Sequence, residues 1–339
     1  MKICVVGAGA IGGYLAVKLA LAGHEVSVVA RGNHLAAIRQ KGLRLVNRDS
    51  GAEFRVQNIL ASDRMADLGP QDCILLALKA HQIAAVAADL RALYGAATPV
   101  VTLQNGIPWW YFHRHGGPLA GTRLESVDPG GLIGAQLEPD RIIGCVVYKG
   151  AEVIEPGVIR HTETAGDKFP LGELDGSETP RIRAISEALE GAGVRAPVIP
   201  DIRAEKWFKL WGNLAWNPIC ALTHAHALEV YQSPEASRLS LIMMREAQAI
   251  AEKLGIRFRG TPEDRMQRIH EIGPTRPSML QDTEAGRSLE VDALVGAVVE
   301  LAGLTDTPAP HVEAVYACAK LLSGVVAGRR VRIVPQPLD

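Results

Sequence analysis

The chain has 339 residues, a length that suggests about two domains, each able to bury a core of its own. Its 36 Lys and Arg against 37 Asp and Glu leave a net charge of −1, so no basic excess exists to hold a phosphate backbone, and nucleic acid is not an expected partner. With 47% hydrophobic and 22% charged residues the chain is too apolar to remain disordered, and no apolar run reaches the roughly 18 residues that cross a bilayer.

Short apolar runs alternate with helical patterns through the first third, the signature of βαβ units and a parallel sheet. Residues 2–6 read as strand, 10–22 as helix, 25–29 as strand, 33–41 as helix, 73–78 as strand, 80–94 as helix and 98–103 as strand. The 40–60 region, with Asp49-Ser50-Gly51, reads as an inserted hairpin, and 142–172, with Glu155-Pro156-Gly157, as antiparallel strands extending the sheet. Beyond Val198-Ile199-Pro200 the pattern turns helical. Asp201 is placed to cap one helix, Ser233-Pro234 starts a long one that stops at Gly255, and two more span roughly 285–303 and 310–326. The expected fold is α/β plus all-α: a Rossmann-type dinucleotide-binding domain over 1–200 and a helical substrate domain over 201–339.

Gly7-Ala8-Gly9-Ala10-Ile11-Gly12 follows a predicted strand and opens a predicted helix, the context that makes G-x-G-x-x-G a dinucleotide fingerprint. Gly7 allows the tight turn, Gly9 the approach of a pyrophosphate, Gly12 the packing of helix on strand, and the helix N-terminus offers unpaired N–H groups. Lys2, the uncharged run from Ile3 to Val17 and Ala20-Leu21-Ala22 also have the outline of a signal peptide, but cleavage there would destroy this motif. Where an NAD site places an acid after the second strand, this chain has Arg31, which favours the 2′-phosphate of NADP(H). Lys79 and Gln82 follow the third strand, on the cofactor's adenosine side, or serve as ordinary surface residues. The cysteines, Cys4, Cys73, Cys145, Cys220 and Cys318, have neither disulfide nor zinc spacing, no metal is expected, and a reducing cytoplasmic compartment fits.

Within an apolar stretch containing Trp207, Leu210, Trp211 and Leu214, the residues Lys209, Asn213 and Asn217 recur every four positions and so share one helix face. In apolar surroundings a lysine needs a partner or a ligand; on an outer face the same stripe is simply solvated. Ser278 and Glu290 form a second polar group, and Glu290 can pair with Lys209 if their helices meet.

Taken together, Gly7-x-Gly9-x-x-Gly12, Arg31, Lys79-x-x-Gln82, Gln104-Asn105-Gly106, Lys209-x-x-x-Asn213-x-x-x-Asn217-Pro218 and Ser278-Met279-x-Gln281-Asp282 leading to Arg287-x-x-Glu290-x-Asp292 resemble the ketopantoate reductases (2-dehydropantoate 2-reductases) over nearly the whole chain. The resemblance implies NADPH-dependent reduction of 2-dehydropantoate to pantoate, in the pantothenate pathway. Lys209 would be the general acid and Glu290 the group that steadies it and binds a substrate hydroxyl. Asn105 would act near the reacting centre and the cofactor, and Asn213, Asn217 and Ser278 would bind substrate. The apolar helices of the second domain would also allow a homodimer. The chain departs from the family pattern at Ser288-Leu289 and Val295-Gly296, and Trp109-Trp110-Tyr111-Phe112 follows the Asn-Gly turn. Those aromatics either form core or wall a pocket for an aromatic 2-keto acid. A same-fold dehydrogenase for such an acid, or a non-catalytic NADPH sensor, are the rival readings.

Overall fold

The computed structural model describes residues 1–336. The chain divides into two compact units: Met1–Gln104, Trp110–Arg123 and Gly130–Ile202 form the first, and Asn105–Trp109, Leu124–Pro129 and Arg203–Asp339 the second. The main break falls at Ile202/Arg203, and two short segments, 105–109 and 124–129, group with the helices.

The first unit is built on β1 (Lys2–Val6), α1 (Ala10–Leu21), β2 (Glu25–Val29) and α2 (Gly32–Lys41), followed by β3 (Leu43–Asn47), β4 (Glu53–Val56) and β5 (Leu60–Ser62). Then come β6 (Cys73–Leu76), β7 (Val100–Thr102), β8 (Ile142–Cys145), β9 (Ala151–Glu155), β10 (Val158–His161), β11 (Leu171–Glu173) and α3 (Pro180–Gly191). Seven strands form one sheet in the order β11-β8-β7-β6-β1-β2-β5, parallel except for β11, which runs antiparallel to β8. Its central strands are uninterrupted apolar runs, such as Ile3-Cys4-Val5-Val6 and Ile74-Leu75-Leu76, as burial on both faces requires.

A second sheet, β4-β3-β10-β9, pairs the predicted hairpin with residues from 151 onward, β10 running parallel to β3. The expected antiparallel extension of the first sheet thus reduces to β11, while β8 pairs parallel with β7 and β9–β10 belong elsewhere. Residues 80–94 also differ from the expected helix. They form 3-10 turns at Ala80–Gln82 and Asp89–Leu93, and Val86, Asp89, Arg91 and Tyr94 each donate three residues back. The buried Ile83, Val86, Leu90 and Leu93 recur every three or four residues, a spacing such turns also satisfy.

The second unit is helical: α4 (Ile202–Thr223), α5 (Ala227–Gln232), α6 (Pro234–Lys253), α7 (Pro262–Ile272), α8 (Ser278–Glu284), α9 (Ala297–Leu304) and α10 (Pro310–Arg329). Ser233 caps α6 by accepting from the Ala236 N–H, and Thr261 caps α7 from Asp264. The helix expected over 285–303 begins only at Val291, and its first turns, Asp292–Gly296, are π-helical; α8 precedes it as a separate element. Among the described residues, no helix is long and apolar enough to cross a membrane.

Candidate active site

In the first unit the three glycines of the fingerprint meet three different constraints. Gly7 sits at φ +101°, where a Cβ would press on Leu78, and the N–H groups of Gly7 and Ala8 both donate to the Val29 carbonyl at 3.1 Å, tying the turn to the end of β2. Gly9 is the N-cap of α1 and faces open space, with nothing within 4 Å of where a Cβ would be. At Gly12 a Cβ would overlap the Gly7 carbonyl oxygen and lie 2.9 Å from Val5 Cγ1 and 3.0 Å from Ala77 Cβ. Among the described residues no side chain caps α1, and its first turn, which includes Ala10 and Ile11, carries no acid, so its N-terminal N–H groups suit an anion.

Arg31 is the exposed N-cap of α2, next to Gly32 at φ +55°, and the first turn of α2 holds no acidic residue. Past β6, the Gln82 side-chain oxygen accepts from the Lys79 backbone N–H at 3.1 Å, so Gln82 serves at least as a turn brace. One contributor had no sequence signal. His34 Nδ1 accepts from the Gly157 N–H at 3.0 Å, which leaves Nε2–H to donate to the Ala8 carbonyl at 2.7 Å. An isolated histidine early in a helix gives no hint that it will brace a turn 26 residues away.

In the second unit, α4 buries Trp207, Leu210, Trp211 and Leu214, and Trp211 Nε1 donates to the Met244 carbonyl at 2.7 Å. This fixes the rotation of the helix and sets the Lys209 stripe on its more open side, where Lys209 and Asn213 are half-buried and Asn217 is 3% exposed. The Lys209 ammonium donates to Asn105 Oδ1 at 2.6 Å. Asn213 and Asn217 make no side-chain hydrogen bond among the described residues, so both amides keep donors and acceptors for a ligand. Glu290 is 9% exposed, and its carbonyl accepts from the Leu294 N–H at 3.2 Å, at the head of the π-turn. Ser278 opens α8 on the surface.

The structure thus brings Asn105 to Lys209 within the helical unit, although Asn105 follows a Rossmann strand by only three positions. Other landmark residues hold the scaffold. Asp282 accepts from Arg287 Nε at 2.8 Å, and Asp292 accepts from Tyr316 Oη at 2.8 Å and from Lys320. Of the aromatic stretch, Trp110, Tyr111 and Phe112 are at most 2% exposed and belong to the core of the first unit, with Trp110 Nε1 donating to Thr102 Oγ1. Only Trp109 is half-buried and assigned to the second unit.

Comparison with known proteins identifies the family. Residues 3–176 match the family described as ketopantoate reductase PanE/ApbA, and residues 201–323 match the ketopantoate reductase PanE/ApbA C-terminal family. A 2-dehydropantoate 2-reductase of Mesorhizobium japonicum is 49% identical over 95% of this chain and 98% of its own. A protein of Ralstonia solanacearum MolK2, described as a candidate ketopantoate reductase, superimposes with a TM-score of 0.90 at 38% identity, over 96% of this chain and 98% of its own. D-mandelate dehydrogenase, in a structure with NADH and anilino(oxo)acetate, has a TM-score of 0.79 over 96% of this chain and 99% of its own; at 20% identity that likeness concerns the fold alone. On the two family matches and the Mesorhizobium relative, the chain is an oxidoreductase that belongs to the ketopantoate reductase family.

Proposed function

We propose that this protein reduces 2-dehydropantoate to pantoate with NADPH, and that Lys209 is the general acid. The observation that carries the reading is the Lys209–Asn105 hydrogen bond at 2.6 Å, beside two amides on the same helix face that make no side-chain hydrogen bond among the described residues. NADPH, when bound, supplies a hydride to the keto carbon. The Lys209 ammonium hydrogen-bonds the ketone oxygen and gives it a proton as the alkoxide forms, and the amine then recovers a proton from solvent. Asn105 fixes the ammonium by accepting one of its N–H groups at 2.6 Å. Asn213, Asn217 and Ser278 bind the polar groups of the substrate, and Glu290 orients the lysine and accepts from a substrate hydroxyl.

Gly7, Gly9, Ala10, Ile11 and Gly12 form the pyrophosphate turn, with Gly9 open toward the ligand and the uncapped end of α1 supplying N–H donors. Arg31 meets the 2′-phosphate, aided by the uncapped N-terminus of α2, and Lys79 lies toward the adenosine side. Burial of Trp110, Tyr111 and Phe112 removes most of the aromatic wall that an aryl keto acid would need, which favours the aliphatic substrate.

The test is NADPH oxidation at 340 nm with 2-dehydropantoate, beside phenylglyoxylate and pyruvate, and with NADH as the cofactor control. Fast turnover of 2-dehydropantoate with NADPH is expected. Preference for phenylglyoxylate would reassign the substrate, and tight NADPH binding without turnover of any keto acid would indicate a sensor.

A further inference from the structure

The segment that carries Asn105 is held by a backbone device that the proposed reaction scheme leaves unused. After Glu290 the chain enters the π-turn Asp292–Gly296, where the Ala297 N–H goes to Asp292, five residues back, instead of to Ala293, four back. The Ala293 carbonyl accepts instead from the Ile107 N–H at 2.9 Å. This approach is possible only because residue 106 is glycine. Gly106 lies at φ +78°, and a Cβ there would overlap the Ala293 carbonyl oxygen, sit 2.5 Å from its carbonyl carbon and lie 3.1 Å from the Leu294 nitrogen. On the other side of Asn105, Gln104 Nε2 donates to the Leu76 and Leu78 carbonyls at 2.7 and 2.9 Å. Asn105 is thus held from both sides along the chain, and its amide oxygen reaches Lys209.

We propose that Gly106 is a positioning residue. Its missing Cβ lets the 105–107 turn close onto the Ala293 carbonyl released by the π-turn, which fixes Asn105 as the acceptor that aims the Lys209 ammonium. The π-turn begins two residues after Glu290, so one short stretch of backbone sets both the carboxylate and, through Gly106, the amide that serve the lysine. A regular α-turn would return the Ala293 carbonyl to its own helix and make the Ile107 N–H share it with the Ala297 N–H. This inference rests on the reading of Lys209 as proton donor, since aiming the ammonium matters only if it reacts.

The experiment is a double-mutant cycle on kcat and KM for 2-dehydropantoate with NADPH, using Gly106→Ala, Asn105→Ala and the double variant, with Lys209→Ala as reference. NADPH binding, followed by fluorescence titration, and thermal melting are recorded for each. Gly106→Ala is expected to lower kcat by about a hundredfold, the cost of displacing a reacting group by about 1 Å, with KM and NADPH affinity little changed. In the Asn105→Ala background the same change should add almost nothing, because the glycine acts through the asparagine. Full loss in both backgrounds, with losses that multiply, would overturn the proposal, as would wild-type kcat for Gly106→Ala while Lys209→Ala is inactive. Wild-type turnover by Lys209→Ala would instead sink the lysine reading itself. Should Gly106→Ala fail to fold, Ile107→Pro, which removes the N–H that reaches Ala293, takes its place in the same cycle and is judged by the same outcomes.

Discussion

The turn that would hold the cofactor occupies six consecutive residues, Gly7 to Gly12, whereas the lysine site joins Lys209 to Asn105 across 104 positions of sequence. In the first case the requirements are local: a positive φ, an open helix end and a helix lying close on a strand. In the second they are met only when α4 is rotated correctly by its tryptophans and the 105–107 segment is drawn onto the π-turn. A contiguous site carries its main requirements in its own glycines, with bracing from outside such as His34 on Ala8, while an assembled site depends throughout on distant residues that touch no ligand.

The largest expected effect falls on the assembled site. Lys209→Ala should lower kcat by about 10²–10⁴-fold, the usual range for a lost general acid, and leave NADPH affinity nearly intact. Loss of NADPH binding instead would break the division of labour between the two regions. In the contiguous site, Gly12→Val should do the reverse. Its side chain would collide with the Gly7 carbonyl and with Val5, costing about 1–3 kcal/mol of stability through overpacking and opening the turn, so that NADPH affinity falls while any residual turnover keeps its keto-acid selectivity. Melting curves and NADPH titration of the purified variant measure both effects.

How much could be read in advance follows the same divide. The strand–turn–helix context of Gly7 to Gly12, the helix start at Ser233-Pro234 and the inserted hairpin are short-range patterns, and each appears in the structure. The stripe of Lys209, Asn213 and Asn217 was legible as one helix face, but not which element would face it. That Asn105 belongs with the helices, that His34 braces Ala8 and that Ala293 receives Ile107 are long-range facts with no local trace. The 285–303 span begins only at Val291, because the turn and irregular chain over 285–290 still fit the apolar spacing, and periodicity alone does not mark the π-turn that opens the helix. The signal for α3 was present in Thr179-Pro180, a capping pair that the structure uses, with Thr179 accepting from the Ile182 N–H.

A smaller effect sharpens the cofactor side of the comparison. Arg31 is exposed, so its worth lies in discrimination more than in stability. Arg31→Asp should reduce the ratio of kcat/KM for NADPH over NADH by about tenfold or more, replacing attraction for the 2′-phosphate with repulsion. An unchanged ratio would mean that Arg31 does not meet that phosphate.

The smallest effect concerns what lies behind the glycine-rich turn. Helix α1 carries Tyr14 against His161, with ring centroids 5.3 Å apart, and against Phe169, while the Lys149 ammonium sits 4.8 Å over the Tyr14 ring and bonds Asp167 at 2.6 Å. Burial first, and the nearby Lys149 charge second, hold His161 below the usual histidine range, with Glu163 pulling weakly the other way. A histidine of depressed pKa stabilises the fold above its unfolded value of about 6.5. As pH falls below that value the unfolded chain takes up a proton that the folded chain resists, so stability declines until the folded pKa is passed. The melting temperature should therefore drop between about pH 7.5 and pH 5.5, and His161→Phe should flatten that slope. For a unit of this size each kcal/mol corresponds to about 2–4 °C, which differential scanning calorimetry resolves. Identical slopes in the wild type and the variant would assign the acid sensitivity to other groups and leave the packing behind α1 indifferent to pH. A flattened slope would show that the packing behind α1, where His161 lies against Tyr14, depends on a histidine that stays neutral.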